Sequence, residues 1–321
     1  MKVIKNILKK YTVAIMLVAL VAYFSVSAQG FATPSNFMNL LRQVAVLGIV
    51  SAGMTPVIIT GQIDLSVGSV VSFVSCLVAL AITSWDMPPL AACLLGVVVA
   101  TAAVVLNGVV VLATGMPAML CTLATMQIYQ GLAYLITNGT PIYGLPESMR
   151  VIGQGYVWVV PVPVIIVGLA LAGVALLLSR TYLGRHIYAV GSNAEATRLS
   201  GISVEKTTLI AFAICGALTG LAACVQTSRL FGGFPTAGSG LEMEVVTAVV
   251  VGGISFSGGR GKPSGVVLGV ILMGVLVNGL GIMGVNTYIQ LVFKGVVLLV
   301  VVGMDCWQRY RARGALASVD G

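Results

Sequence analysis

Ionisable side chains are scarce in this chain. Only 8% of its 321 residues are Asp, Glu, Lys or Arg, whereas 58% are hydrophobic. A soluble domain carries about a quarter charged residues, so there is too little polar surface here to cover a water-soluble globule. The 39 glycines point the same way, because small residues let helices approach closely inside a membrane. The composition predicts an all-α integral membrane protein with one transmembrane domain over residues 1–321.

The groups that build catalytic and metal sites are equally few. His186 is the only histidine, which excludes a multi-histidine metal or haem site. Most cysteines lie in apolar stretches and none forms a CxxC pair, so we interpret them as small core residues. The stretch GGRGKPSG at 258–265 is not a P-loop, because Phe256 and Pro263 stand where that motif requires glycine and Ser or Thr. We expect no catalytic site, no metal and no cofactor.

Ten apolar segments are candidate membrane spans, each of which needs roughly 20 mostly apolar residues. They cover about residues 11–28, 44–60, 64–83, 90–113, 118–136, 157–178, 208–225, 243–256, 265–282 and 287–304. The eighth segment is short for a bilayer, so we interpret it as a tilted or broken helix, or as a segment buried within the protein. The pattern predicts about ten transmembrane helices.

Basic residues gather on one side of this ten-span topology. They precede the first span, or follow the sixth, eighth and tenth spans: Lys2, Lys5, Lys9, Lys10, Arg180, Arg185, Arg198, Lys206, Arg260, Lys262, Arg309, Arg311 and Arg313. If both termini are cytoplasmic, all of these residues face the cytoplasm, in agreement with the positive-inside rule. The net charge of +8 is then explained by orientation, and we expect no nucleic-acid partner.

The first segment also resembles a cleavable signal peptide, because lysines and an apolar run precede VSA at 26–28. Cleavage before Gln29 would leave nine spans. We favour retention of the segment, since its apolar run is long for a signal peptide, and N-terminal sequencing of the mature protein would decide.

The most hydrophilic stretch is the predicted cytoplasmic loop at 179–207. Within it, SNAEATRLSG at 192–201 is predicted to be a short helix. Its ends are marked by Ser192 or Asn193 as the cap and by Gly201 as the stop. Glu195 lies in the first turn and can pair with Arg198. These residues leave two interpretations open, an amphipathic linker and a docking helix for a cytoplasmic partner.

Polar side chains inside the predicted spans are candidate functional residues, because an unpaired polar group in hydrocarbon is costly. They are Asp64, Asn107, Gln127, Gln130, Asn278, Gln290 and Lys294. An amide can bind a sugar hydroxyl or join two helices, and both interpretations stay open for each amide. Lys294 needs a carboxylate, a ring of carbonyls or a wet cavity.

Asp64 stands in the word GQIDLSVGS, inside a long apolar tract. Gly61 and Gln62 are expected to break the tract, so that Asp64 begins the third span near the cytoplasmic end. There its carboxylate can accept from the free amides of Ser66 or Val67, and the Ser66 side chain adds polarity. A structural cap and a residue of the transport path are both open.

Two smaller patterns complete the membrane part. Glu242 and Glu244 begin the eighth span, where the helix dipole favours acids, and we prefer this interpretation to a catalytic dyad. LNGV at 106–109 and VNGL at 277–280 fall in the fourth and ninth spans. These are matching positions if the chain is a 5+5 inverted repeat.

Long words of the sequence resemble a known family over nearly the whole chain. They are IDLSVGS at 63–69, TNGTPI at 137–142, LGRHIYAVGSNAEATRLSGISV at 183–204, PTAGSGLEMEVVTAVVVGGISFSGGRG at 235–261, LVNGLGIMGV, and YIQLVFKGVVLLVVVGMD at the C-terminal end. The family is the ribose, xylose, arabinose and galactose type of ABC-importer permease, a group of bacterial inner-membrane proteins. Two departures are Gly61-Gln62, where Gly-Gly or Ser-Gly is common, and Gln130, where many members carry Arg. The second departure puts the substrate in doubt.

The resemblance implies partners and a mechanism. Two permease chains, expected as a homodimer in membrane lipid, would form the pore, and a periplasmic binding protein would deliver a monosaccharide or related polyol. A cytoplasmic ABC ATPase would hydrolyse ATP and dock on the loop, where the coupling residues would be Asn193, Glu195, Ala196, Arg198, Leu199 and Gly201. The residues of the translocation path, or of structural polar contacts, would be Asp64, Ser66, Asn107, Gln127, Gln130, Asn278 and Lys294. Transport would proceed by alternating access.

A function from another class is an ion-coupled secondary transporter or channel that works without an ATPase. Asp64 and Lys294 would then be the titratable groups that couple ions. Uptake that survives depletion of ATP and collapses with the proton gradient would favour this alternative. A membrane enzyme lacks any reactive constellation.

Overall fold

The computed structural model describes residues 2–286, 288–300 and 302–303, with side chains from Val13 onward. Three arginines named above, Arg309, Arg311 and Arg313, lie outside the described residues, as do the side chains of the N-terminal lysines. The share of the charge pattern that depends on them stays a prediction.

The described chain is built from helices. They are α1 (Lys2–Ser27), α2 (Pro34–Ile59), α3 (Val67–Thr83), α4 (Pro89–Thr114), α5 (Ala118–Thr137), α6 (Arg150–Gln154), α7 (Val162–Arg180), α8 (Tyr182–Ser192), α9 (Ala194–Leu199), α10 (Val204–Leu230), α11 (Leu241–Val251), α12 (Pro263–Ile282) and α13 (Tyr288–Val300). A 3₁₀ turn at Glu147–Met149 and a hairpin of β1 (Tyr156–Val157) with β2 (Val160–Pro161) complete the fold. The expected all-α membrane class is confirmed.

Each predicted span overlaps one of these helices. Among the described residues, 6 helices are long and apolar enough to cross a membrane, namely α2, α4, α5, α7, α10 and α12. Shorter apolar helices lie at Val13–Ser27, α3 and α13. Helix α11 has 11 residues, and Val245–Val251 within it are buried, so the eighth segment is short and enclosed by protein. The number of membrane crossings stays a prediction.

Two boundaries differ from the prediction. Helix α2 begins at Pro34 rather than near residue 44, because Thr33 Oγ1 caps it by accepting from the Asn36 amide at 3.3 Å. Arg42 therefore lies in α2 rather than in a loop. The sixth span begins later than residue 157, since Tyr156–Pro161 form a hairpin whose turn residue Trp158 has φ +61°.

The core lies where α10 crosses α4 and α2. A Cβ atom built on Gly216 would stand 2.7 Å from the Thr101 Cα, and one on Gly220 would stand 2.6 Å from the Val97 Cα. The two backbones are thus in direct contact, as small residues permit in membrane helices.

The two ends of the bundle carry different connections. At one end, here the hairpin end, residues 138–161 close over the last turn of α10. Ile142 pairs with Gly233 in an isolated bridge, and the Arg150 guanidinium lies 4.0 Å from the ring centroid of Phe231. At the other end, here the α8 end, lie α8, α9, the segment 60–66 and the loop 252–262.

Candidate functional site

Helix α9, the predicted docking helix, has both of its expected ends. Asn193 is the N-cap, and its Oδ1 accepts from the Ala196 amide at 3.0 Å. Gly201 follows the helix with φ +79°, and the Ile202 amide donates to the Thr197 carbonyl at 3.3 Å. A left-handed glycine with such a bond is a usual helix stop. Local sequence alone was sufficient to predict this helix.

The surface of α9 carries charged side chains beside an exposed apolar one. Arg198 lies 3.6 Å from Glu195, as expected, and its Nη2 also donates to Glu205 at 2.7 Å. Leu199 is 82% exposed. Of the two ion pairs only Arg198–Glu205 joins α9 to the start of α10, and Leu199 leaves an apolar side chain exposed beside them.

The α8–α9 segment packs against the rest of the α8 end through direct backbone–backbone contacts. A Cβ atom on Gly191 would stand 1.7 Å from the Ile59 carbonyl oxygen and 2.6 Å from the Gly259 amide nitrogen. The Gly259 amide in turn donates to the Ile59 carbonyl at 2.8 Å, and the Tyr188 hydroxyl donates to the Gly261 carbonyl at 2.8 Å. We call Gly191, Ile59 and Gly259 the glycine joint.

Asp64 lies just beyond the glycine joint, in the segment between α2 and α3. Its Oδ1 accepts from the Ser66 amide at 2.7 Å and from the Ser66 hydroxyl at 2.6 Å. Its Oδ2 accepts from Asn107 Nδ2 at 3.1 Å, and the same nitrogen lies 2.8 Å from Ser66 Oγ. The structure thus brings three of the predicted site residues together. All three are fully buried at 0% exposure, so this cluster lines no open cavity.

The same cluster ties α3 to α4 and α5. The Tyr129 hydroxyl donates to the Ala103 carbonyl at 2.9 Å and lies 3.3 Å from Asn107 Oδ1. Thr122 Oγ1 accepts from the Leu65 amide at 3.1 Å. The irregular segment before α3 is therefore joined to α5 through the Leu65 amide and to α4 through the side chains of Asp64 and Ser66, and its buried polar groups have partners as a membrane requires.

Two of the remaining amides also join separate parts of the chain. Asn278 and Asn36 exchange amide hydrogen bonds of 2.9 and 3.0 Å between α12 and α2. Gln130 Nε2 donates to the Pro235 carbonyl at 2.7 Å. Gln127 differs, because it is exposed near the middle of α5 and its amide makes no hydrogen bond to any residue that the structure describes.

Lys294 has a carboxylate partner on another helix. Its Nζ contacts Glu244 Oε1, and both side chains are 18% exposed. Glu244 lies in the first turn of α11, together with Glu242, as the dipole interpretation predicted. The pair joins α13 to the short α11.

Replacing Lys294 with Gln is expected to destabilise the protein, because Glu244 would be left as a mostly buried, uncompensated charge. Breaking such a pair from one side costs about 3–5 kcal/mol. The measurement is the midpoint of thermal unfolding in detergent. The Lys294→Gln, Glu244→Gln double variant should recover much of the loss, since it removes both charges. Equal losses in the single and double variants would show that the ion pair does not determine the effect.

Several contacts of these sites could not be found by sequence reasoning. Ile59, Gly191 and Gly259 act through backbone atoms, and glycines are too frequent in this chain to single out. Asn36 lies outside the predicted spans, and no sequence pattern singles out Tyr129.

The chain belongs to a family of membrane permeases. The family model described as branched-chain amino acid transport system / permease component matches residues 36–302. The family is one of transport components, and the resemblance seen in the sequence is confirmed.

Among curated relatives, the chain is 41% identical over 288 residues to the ribose import permease protein RbsC of Bacillus subtilis, covering 89% of both chains. It is 38% identical to RbsC of Escherichia coli K12, over 91% of this chain and 92% of the relative. It is 33% identical to the xylose transport system permease protein XylH of Haemophilus influenzae, over 93% and 96%. No solved structure matches.

Proposed function

We propose that this chain is the membrane-spanning subunit of an ABC importer that moves a monosaccharide or a related small polyol across the bacterial inner membrane by alternating access. The observation that carries the proposal is the 41% identity to a ribose import permease across 89% of both chains. The relatives are named for ribose and xylose, which are both aldopentoses, so a pentose is the first substrate to test.

The proposal includes a topology. About ten segments cross the membrane, both termini are cytoplasmic, and the α8 end faces the cytoplasm. Arg185, Arg198, Lys206, Arg260 and Lys262 all belong to that end, which supports this orientation by the positive-inside rule. A 5+5 inverted repeat is part of the proposal, supported by Asn107 and Asn278, which both join their own helix to a polar residue of an earlier segment.

The proposed partners follow from the two ends. A separate ABC ATPase docks on α9 with Leu199 as its apolar contact, since this chain has no P-loop. A periplasmic binding protein delivers the solute to the hairpin end, and a second copy of this chain completes the pore.

The proposed substrate contact is Gln127. Asp64, Ser66, Asn107, Gln130, Asn278 and Lys294 all have protein partners, and we assign them to structural contacts. An exposed amide near mid-helix without such a partner has to meet either water in the path or another chain, because hydrocarbon offers it no hydrogen bond.

Co-purification and uptake test the function together. The chain is expected to carry an ABC ATPase with it from mild detergent, and ATP-dependent uptake of D-ribose or D-xylose is expected in vesicles. If uptake instead survives ATP depletion and collapses with the proton gradient, the importer proposal is wrong and the ion-coupled transporter is correct.

Replacing Leu199 with Asp is expected to remove the ATPase from the purified complex, because a charge would replace the apolar contact. Truncating a central apolar contact weakens an interface by about 2 kcal/mol or more, which is about thirtyfold in affinity. The measurement is the ratio of ATPase to permease after purification. Leu199→Met and Trp158→Asp are the controls, since the first stays apolar and the second changes a 98% exposed side chain at the hairpin end. Loss of the ATPase in Trp158→Asp as well would contradict docking at α9.

A further inference from the structure

The connection from α10 to α11 does not stay at the surface of the bundle. It begins at the hairpin end, where Gly233 pairs with Ile142. A Cβ atom on Gly233 would stand 3.0 Å from the Cys76 Cα, whereas one on Gly238 would stand 2.0 Å from the Gly68 carbonyl oxygen. The chain thus runs beside α3 from Cys76, near the middle of that helix, to its first turn, a distance of about 12 Å at 1.5 Å per helical residue. We call residues 231–240 the re-entrant segment.

The contacts of α11 with neighbouring helices show how deep in the bundle the re-entrant segment ends. Glu244, in the first turn of α11, contacts Lys294 at the middle of α13. Ala248 lies against Gly269, where an added Cβ atom would stand 2.0 Å from the Ala248 carbonyl oxygen. Helix α11 therefore starts inside the layer of helices, and only the second half of this crossing is helical.

One side of the re-entrant segment is paired with protein. The Gly238 amide donates to Ser72 Oγ at 2.9 Å, Gln130 donates to the Pro235 carbonyl at 2.7 Å, and Gln226 donates to the Ala237 carbonyl at 3.1 Å. Three helices, α3, α5 and α10, thus add their hydrogen bonds to two turn bonds within the segment, from the Ala237 amide to the Phe234 carbonyl and from the Ser239 amide to the Thr236 carbonyl.

The other side is open and polar. Thr236 and Ser239 are exposed. Pro235, which precedes Thr236, and Gly238, which precedes Ser239, are buried. Neither hydroxyl has a hydrogen-bond partner among the residues that the structure describes. Gln127, equally exposed, lies one helical turn before Gln130, which holds Pro235. Residues one turn apart share a face of a helix.

Irregular backbone at membrane depth cannot face lipid, because its polar groups would find no partner there. It occurs where it is buried in protein or lines a water-filled cavity. Thr236 and Ser239 are not buried within this chain. We propose that the re-entrant segment is a wall of the translocation path, and that the hydroxyls of Thr236 and Ser239 bind the hydroxyl groups of the passing solute together with the Gln127 amide. This inference deepens the proposed function and rests on it for the class of solute.

Water access is tested by replacing Thr236 and Ser239 singly with cysteine in the full complex and adding a charged, membrane-impermeant methanethiosulfonate. Only a thiolate in contact with water reacts. Adducts are counted by intact mass against the unchanged chain, which sets the background of native cysteines. Leu169→Cys is the matched control, because Leu169 is exposed on the apolar face of α7. Both path variants should react about a hundredfold faster than the control. Low-dielectric surroundings raise the pKa of a thiol by about two or more, which lowers its thiolate fraction about a hundredfold.

Labelling no faster than that of Leu169→Cys would overturn the inference, whether lipid or a second copy covers the segment. Fast labelling that D-ribose or D-xylose slows supports both the path wall and the solute. Fast labelling that neither sugar slows supports the path wall and contradicts the proposed sugar, so the two failures are distinguishable. Thr236→Val should lower the rate of uptake at low sugar concentration about fivefold, which corresponds to the loss of one hydrogen bond of about 1 kcal/mol. Thr236→Ser keeps the hydroxyl and should restore the rate.

Discussion

Replacing Gly191 with alanine is expected to destabilise the protein by about 1–3 kcal/mol and to stop transport, although the same change in an ordinary helix stabilises by about 1 kcal/mol. The added Cβ atom would stand 1.7 Å from the Ile59 carbonyl oxygen, which is backbone and cannot turn away. Helix α8 would have to separate from the end of α2, and the bond from Gly259 to Ile59 would open with it.

The sign of the effect makes this change informative. Gly173 of α7 is the matched control, because an added Cβ atom there meets nothing within 4 Å. Gly173→Ala should leave uptake unchanged and raise the unfolding midpoint slightly, whereas Gly191→Ala should lower both. The two variants are compared by thermal unfolding in detergent, sugar uptake and ATPase activity of the complex. Unchanged uptake and stability in Gly191→Ala would show that α8 is not tightly packed against the end of α2 at Gly191.

The glycine joint also explains how a motion at α9 would travel in the proposed importer. Backbone packed against backbone has no flexible side chain to absorb a displacement, so α8 and the end of α2 have to move together. Ile59 is followed directly by the segment that carries Asp64 and Ser66. A push on α9 would therefore reach the α2–α3 junction, and through Asn107 it would reach α4.

The class of protein and the places of its helices were predictable from the sequence. Hydropathy locates apolar helices because hydrocarbon demands them, and each predicted span overlaps a helix. The caps of α9 were predictable for a similar reason, since Asn193 and Gly201 act on backbone within a few residues of themselves. Such features depend on local sequence alone.

The contacts between distant residues were not predictable. Lys294 and Glu244 are separated by 50 positions, and Asn36 and Asn278 by 242. No periodicity links such pairs in a single sequence. The re-entrant segment was indicated only by the shortness of the eighth segment. Its course beside α3 depends on glycines that allow two backbones to touch, and nothing in the letters GSG reveals what they touch.

Replacing Asp64 with Ala is expected to prevent assembly of the protein. The Ser66 amide and the Ser66 hydroxyl would lose their acceptor in a fully buried place, whereas Asn107 Nδ2 would keep Ser66 Oγ at 2.8 Å. Each buried polar group left without a partner costs about 1–3 kcal/mol, so the sum is about 2–6 kcal/mol, a large part of the whole stability of many proteins. The measurement is the yield of monodisperse protein in detergent.

Asp64→Asn separates a structural role from a role in the path. The new amide oxygen can still accept from Ser66, but the new NH₂ group would face the NH₂ group of Asn107. A structural role predicts lower stability with transport retained by the protein that assembles. A path role predicts normal stability and no transport, which the 0% exposure of Asp64 argues against.

Exchanging the two groups gives the sharper test. In the Asp64→Asn, Asn107→Asp double variant, the new amide donates to a carboxylate at position 107, and the Tyr129 hydroxyl stands 3.3 Å away as a second donor. Asn107→Asp alone places two carboxylates side by side and should be the least stable of the three, since like charges repel at this depth. The double variant should therefore be more stable than the sum of the single changes predicts. That coupling can arise only if Asp64 and Asn107 act on each other, whereas a carboxylate that serves the solute would lose its position in the exchange and transport would not return.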